Sequence, residues 1–172
     1  TSLQTAPIIP DSVTDMSYAF YECTSLETGP IIPNSVTSID MTFYGCTSMR
    51  IAPVIPGSVT SMGGTFQGCT SLTKSPEVPY SVTFMNGTFR GCTALEEAPV
   101  IPNNVIYMEG TFMGCTSLKT APVIPSGVTD MRYLFWECTS LTGTVTINTN
   151  PELYDYCFSG VDLINQDIIV SG

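Results

Sequence analysis

Apolar residues recur along this chain at one fixed interval. Cysteines stand at positions 23, 46, 69, 92, 115 and 138, and 46 − 23 gives a step of 23 residues that every later pair repeats. When each cysteine is counted as position zero, Leu or Met occupies position three, Val position thirteen, Met or Ile position sixteen and Phe position twenty. Self-similarity at such an interval is typical of stacked repeats. The pattern therefore predicts about seven repeats in register between residues 1 and 160.

The length and proline content of the repeat favour a β architecture. Helical repeats need about 33 residues or more, and a 23-residue unit is too short for a helix pair. Prolines at positions seven and ten also exclude a long helix. We expect a mainly β solenoid with short parallel strands at segments such as "SVTSM", and 3₁₀ or one-turn helical segments at "MxxTF". The "APVIP" segment should be a broken strand, because proline cannot donate to a ladder.

The repeated cysteine shares the spacing of the apolar columns and is expected to point inward. Stacked coils would then hold one buried thiol each, as a small apolar filler. Disulfides, a metal site and a catalytic thiol are the competing interpretations. The regular ladder, the lack of any C-x-x-C motif and the absence of histidine count against them. Cys157 falls at position nineteen, off this column, and the repeat does not predict its surroundings.

The two ends of the chain differ from the middle. Residues 1–141 are predicted to form the in-register solenoid. Residues 142–172 lack the prolines of positions seven and ten. They are predicted to be a degenerate last repeat and C-terminal cap, with a final strand near Asp167–Val170. The first repeat has no comparable cap, so we expect further repeats or an end-to-end contact with another chain there.

Composition narrows the classes of function. The net charge of −10, from 5 basic and 15 acidic side chains, argues against nucleic acid and against an anionic membrane surface. No apolar run is long enough for a membrane span, so no membrane insertion is expected. Without histidine, a phosphate-binding loop or an opposed carboxylate pair, the sequence indicates no enzyme and no catalytic, cofactor or metal site.

These residues resemble a known family. The order Leu118, Ile124-Pro125, Val128, Met131, Phe135 and Cys138 is similar to the unit of BspA-like, Treponema-type leucine-rich repeats. The resemblance covers about residues 1–160, with an extra residue and proline in "APVIP". It implies a right-handed leucine-rich-repeat coil, a bacterial extracellular or cell-surface location, and adhesion to host proteins or neighbouring cells.

The resemblance also implies that ligands face the variable residues after the repeated leucine. The charged ones are Glu27, Arg50, Lys74, Glu96, Glu97 and Lys119. Simple solvation of these side chains is the alternative.

Position twenty-one is a second candidate surface, because it carries Tyr21, Tyr44 and Trp136. Aromatic side chains there suit glycan stacking or protein contacts. Packing against the turn below is the alternative.

Taken together, we expect a noncatalytic extracellular binding or adhesion module with a protein or glycan ligand. A structural spacer rod that presents another domain is the alternative.

Overall fold

The computed structural model describes residues 3–162 and 167–170. We number the coils by the repeated cysteine, so that coil two begins at Cys23, coil four at Cys69 and coil seven at Cys138. The described residues contain no helix. Their two strands are β1 (Val145–Ile147) and β2 (Ile168–Val170), which pair in parallel with Val145 opposite Ile168. β2 lies where the sequence predicts a final strand. Within the proposed cap of residues 142–172, residues 163–166 and 171–172 lie outside the described residues, and the rest includes β1 and β2.

Parallel bridges one coil apart join the repeats and confirm the solenoid. Position fifteen gives an unbroken series of single-residue bridges from Asp15 through Ser38 and onward to Leu153. Position five gives a second series that runs from Thr5 to Ile51 and again from Lys74 to Thr120. The strands predicted at "SVTSM" are thus present as a parallel ladder, but they are only one bridge long in each coil. The "IP-x-S" corner is a turn, in which Val36 N–H donates to the carbonyl of Pro33 at 3.1 Å.

The prediction of 3₁₀ or one-turn helical segments is wrong for the described residues, which form turns there. Between positions sixteen and twenty-two, every second backbone N–H donates to a carbonyl of the next coil. The N–H of Met41, for example, donates to the carbonyl of Gly63 at 2.7 Å. Only the residues between them form local turn hydrogen bonds. The N–H of Thr42, for example, donates to the carbonyl of Ile39 at 3.2 Å. A 3₁₀ helix needs these local bonds on consecutive residues. The backbone instead enters the left-handed region at positions eighteen and twenty-two, with φ values of 51° at Met41 and 68° at Gly45.

Like side chains stack on like side chains in the core, as predicted. Successive rings of the phenylalanine column, from Phe20 to Phe158, have centroids 5.6–5.7 Å apart. The thiols of the cysteine column are free and buried beside them. Each coil therefore covers the apolar surface that its neighbour cannot bury alone.

A buried threonine column at position nineteen was not predicted. Thr42, Thr65, Thr88 and Thr111 are fully buried. Each hydroxyl donates to the carbonyl at position sixteen of the preceding coil, at 2.8–2.9 Å. Cys157 occupies this column in coil seven and is buried as well.

Candidate functional site

A row of aliphatic side chains stands in solvent at position eight. An extended segment directs successive side chains to opposite sides. In each "APVIP" segment, the residue at position nine is therefore turned toward the core while the residue at position eight is turned out. Val54, for example, is 87% exposed, whereas Ile55 beside it is 7% exposed. The exposed members of the row are Ile8, Ile31, Val54, Val100 and Val123.

We call the surface formed by positions five to ten of coils one to six the proline face. It consists of residues 5–10, 28–33, 51–56, 74–79, 97–102 and 120–125. The prolines at positions seven and ten have no N–H to offer a neighbouring coil, so a regular hydrogen-bonded ladder cannot extend across this face. The side chains at position eight form its ridges.

Four clefts lie between successive segments of the proline face. Their volumes are about 350 Å³ between coils two and three, 560 Å³ between three and four, 480 Å³ between four and five, and 330 Å³ between five and six. The largest of these four coincides with an interruption of the position-five bridges. Within the described chain, Thr28 pairs with Ile51 and Lys74 with Glu97, but Ile51 does not pair with Lys74. The clefts are thus largest in volume on the two sides of coil four.

The charged candidates at positions four and five are exposed, with those at position five on the proline face and those at position four next to it. These are Glu27, Arg50, Lys74, Glu96, Glu97 and Lys119. Lys74 and Glu97 line the 480 Å³ cleft. Lys119 instead forms an ion pair with Glu96 at 2.5 Å, with both side chains more than half exposed. Exposed pairs of this kind contribute little to stability. That these residues face a ligand stays a prediction.

The aromatic candidates at position twenty-one lie in ring stacks. Tyr21 and Tyr44 stack with centroids 4.6 Å apart and planes 4° from parallel. Trp136 stacks on Tyr133, which in turn stacks on Tyr156. A stacked ring has one face covered by its neighbour, whether that neighbour lies in the same coil or in the next, and a sugar stacks on an aromatic face. The geometry thus favours the packing alternative for Tyr44 and Trp136, whereas Tyr21 is 41% exposed.

Sequence reasoning missed the position-eight row. Isoleucine and valine are among the residues most often buried, and two adjacent aliphatic residues do not reveal which of them faces out. One signal was present in coil four, where the segment reads "SPEVP" and Glu77 replaces the aliphatic residue. A charged residue in that column indicates that the whole column is exposed.

The buried cysteines are poorly suited to nucleophilic chemistry. Burial raises the pKa of the Cys46 and Cys138 thiols to about 12 and holds the pKa of Cys92 well above its ordinary value. The reactive form is the thiolate, which burial suppresses. Among residues 3–162 and 167–170, no group of three or more His, Cys, Asp or Glu side chains could hold a metal ion. In the same part of the chain, no helix has the length and apolarity needed to cross a membrane.

Comparison with solved structures shows the same repeat fold in proteins of two bacteria. A leucine rich repeat protein of Treponema pallidum (TpLRR) is similar with a TM-score of 0.68 and 25% identity, over 81% of this chain and 71% of that one. A leucine-rich repeat protein of Bacteroides ovatus is similar with a TM-score of 0.58 and 25% identity. That match covers 87% of this chain but only 45% of the B. ovatus chain.

A leucine rich cell surface protein of Faecalibacterium prausnitzii matches at a TM-score of 0.43 and 22% identity, over 92% of this chain and 63% of that one. That match is too weak to support any conclusion about this chain. Among curated proteins, none matches the chain significantly.

The repeat itself matches a family model. Six copies of the BspA type leucine rich repeat region align with residues 14–142, well over half of the 172 residues. The stacked leucine, phenylalanine and cysteine columns give this match its structural basis. The chain belongs to the BspA type leucine rich repeat family.

Proposed function

We propose that this chain is a noncatalytic binding module, exported to the bacterial surface or beyond it, whose proline face contacts a protein ligand. The observation that carries the proposal is the position-eight row, in which Ile8, Ile31, Val54 and Val100 are each at least 87% exposed. Contiguous exposed apolar surface is uncommon on soluble proteins and marks interaction sites. A surface selected only for solubility would carry polar side chains there.

Membership of the BspA type family supports this proposal in two ways. Repeat families of this kind are generally noncatalytic, and they use extended stacked surfaces to bind other proteins. The location outside the cell, and adhesion to host or neighbouring cells, are what the family resemblance implies for this chain.

A spacer rod that presents another domain is the second candidate. The uninterrupted ladder of bridges at position fifteen favours it, because a rigid stack of coils suits that role. A spacer does not need exposed aliphatic ridges, so the proline face separates the two candidates.

The test is a binding screen of the purified chain against extracellular matrix proteins and glycans. A variant carrying Ile31→Ser, Val54→Ser and Val100→Ser should lose most of the binding, because it removes three ridges. Its melting temperature should stay close to that of the wild type, since all three side chains are exposed. Tyr21→Ser is the control for the aromatic surface and should bind like the wild type. No binding by the wild type at high micromolar concentration would favour the spacer instead.

A further inference from the structure

Coil four differs from the other coils on the proline face. Its segment is "KSPEVPY", in which Glu77 stands in the aliphatic row and Tyr80 follows the second proline. Glu77 lines both of the two larger clefts, of 560 Å³ and 480 Å³. Glu97 lines the second of these two clefts as well. The two smaller clefts are lined by no charged side chain. The charge on the clefts is therefore concentrated where their volumes are largest.

The charge balance at coil four is acidic. Lys74 is the single cation that lines the 480 Å³ cleft, against the carboxylates of Glu77 and Glu97. Ion pairs within the described residues join Lys119 to Glu96, and Arg132 to Glu109 and Asp130, and none of them involves Glu77 or Glu97. Both carboxylates are exposed at the cleft. They can therefore meet a cation from a partner without first giving up an internal ion pair.

The apolar part of the same clefts defines the rest of the ligand. The 480 Å³ cleft is walled by Val78, Ala98, Pro99 and Val100, with the ring of Tyr80 at its edge. Such walls accept aliphatic or proline side chains of a ligand but offer no hydrogen-bond partner to polar ligand groups. A second copy of this chain fits poorly, since its net charge of −10 would face the same negative charge.

We propose that the two clefts around coil four bind an extended segment of a partner protein in which a lysine or arginine is flanked by aliphatic or proline residues. The cation lies over Glu77 and Glu97, and the flanking residues occupy the apolar walls. This inference rests on the proposed function, because it names the ligand chemistry of the same face.

The test uses an array of short, extended peptides in which Val, Ile and Pro flank a central Lys, Arg, norleucine or Glu. Norleucine keeps the aliphatic stem of lysine but lacks its charge. At low salt we expect the Lys and Arg peptides to bind about three- to tenfold tighter than the norleucine peptide, with Glu weakest. The difference should shrink toward physiological ionic strength, where the Debye length is about 8 Å.

Two matched variants locate the effect. Glu77→Gln should bring the affinity for the Lys peptide close to that for the norleucine peptide, so that most of the preference for Lys is lost. Glu152→Gln makes the same change of net charge at an exposed residue of coil seven that lines none of the four clefts, and should keep the preference. Equal loss in both variants would show that only the overall charge matters and would overturn the inference.

The remaining outcomes separate this inference from the proposed function. Equal binding of all the peptides, weakened by the three serine substitutions, would overturn the cation preference and leave the binding face in place. Tightest binding of the Glu peptide would overturn it in the same way. Self-association of the wild type at low salt, measured by sedimentation, would place a second copy on the face and also overturn it. Binding of no peptide at millimolar concentration would overturn this inference, whereas the screen against matrix proteins and glycans decides the proposed function.

Discussion

The Sγ atom of Cys138 lies 3.1 Å from the carbonyl oxygen of Phe112, a member of the stacked ring column that stands 26 residues earlier, about one turn of the solenoid away. Equivalent thiols at Cys46, Cys69, Cys92 and Cys115 make the same contact to the phenylalanine carbonyl 26 residues earlier, at 3.1–3.2 Å. A thiol can donate this weak bond only while it is protonated. The cysteine column thus links successive turns of the solenoid in a way that depends on the neutral thiol.

Stability should therefore fall at high pH. Burial raises the pKa of Cys138 from an ordinary value of 9.0 to about 12. In the unfolded chain this thiol loses its proton near pH 9, while the folded chain still holds it. The unfolded state then binds fewer protons, so the free energy of unfolding decreases as pH rises. The contribution is fully present below about pH 9 and is lost by about pH 12.

Comparison with Cys138→Ala isolates this effect from the titration of tyrosine and lysine. Below pH 9 the variant should be less stable, because it leaves a small cavity. As pH rises, the difference between the two free energies of unfolding should narrow by up to about 1.4 kcal/mol per pH unit. Denaturant unfolding at a series of pH values measures it. A difference that stays constant with pH would contradict a buried neutral thiol.

Glycine at position twenty-two should be required by the backbone. Gly91 has a φ of 71°, and a Cβ there would have only ordinary contacts, 3.8 Å from Gly68. The cost of Gly91→Ala is therefore the left-handed conformation itself, about 1–2 kcal/mol. Gly57→Ala is the matched control, because its Cβ would meet nothing within 4 Å and its φ is not positive. The control should change stability by no more than about 1 kcal/mol, in the stabilising direction.

The reverse substitution gives a second measurement of the same strain. Glu137 occupies position twenty-two of coil six with a φ of 57°, where four preceding coils have glycine. Glu137→Gly should stabilise the chain by roughly 0.5–1 kcal/mol, because the strain that it relieves exceeds the entropy cost of glycine. Thermal unfolding of the three variants together tests this account. Destabilisation by Glu137→Gly would show that the glutamate side chain matters more than its backbone.

Much of the fold followed from the register of the sequence, because a repeat without insertions stacks each residue on its equivalent one coil away. The register alone was enough to predict the inward-facing cysteine, leucine and phenylalanine columns. The local backbone conformation was harder to predict from the sequence. Position eighteen is glycine in coils three to five, as at Gly87, but tyrosine in others, as at Tyr133, so its left-handed conformation did not stand out. The hydrogen bonds that impose this conformation run between coils, which a local pattern does not contain.

The candidate site was less predictable than the fold. The charged residues near the leucine column were found from their variability, and Lys74 and Glu97 do line a cleft. The exposed aliphatic row was missed, since "VI" in an extended segment has one residue in and one out with no local cue to the direction. The clefts differ in volume, and the largest of the four lies where one position-five bridge is missing. The series of bridges is interrupted at Ile51, a feature that the individual residue types do not predict.

The hydroxyl of Thr88 should contribute to stability beyond the volume of its side chain. It is fully buried and donates at 2.8 Å to the carbonyls of both Met62 and Met85. Thr88→Val keeps the shape but removes the donor, which should cost about 1–2 kcal/mol. Thr116→Val is the control, because its hydroxyl is exposed and lies 3.5 Å from its acceptor, Thr93. That change should cost less than about 0.5 kcal/mol. Equal costs in denaturant unfolding would contradict a special role for position nineteen.

The middle of the phenylalanine column should be more sensitive to substitution than its end. Phe89 is fully buried between Phe66 and Phe112, with centroids 5.7 Å away on both sides. Phe89→Leu removes two ring contacts and leaves a void that the rigid neighbouring coils cannot close, so we expect a loss of about 1–3 kcal/mol. Phe158 is half-buried and, among the described residues, stacks on Phe135 alone. Phe158→Leu should therefore cost about half as much or less, roughly 0.5–1 kcal/mol. Because a local defect in a stacked array affects chiefly its neighbours, hydrogen exchange should show faster opening of coils three to five in Phe89→Leu, while coil seven keeps its wild-type protection. Uniform acceleration across all coils would show instead that the solenoid opens as one cooperative unit.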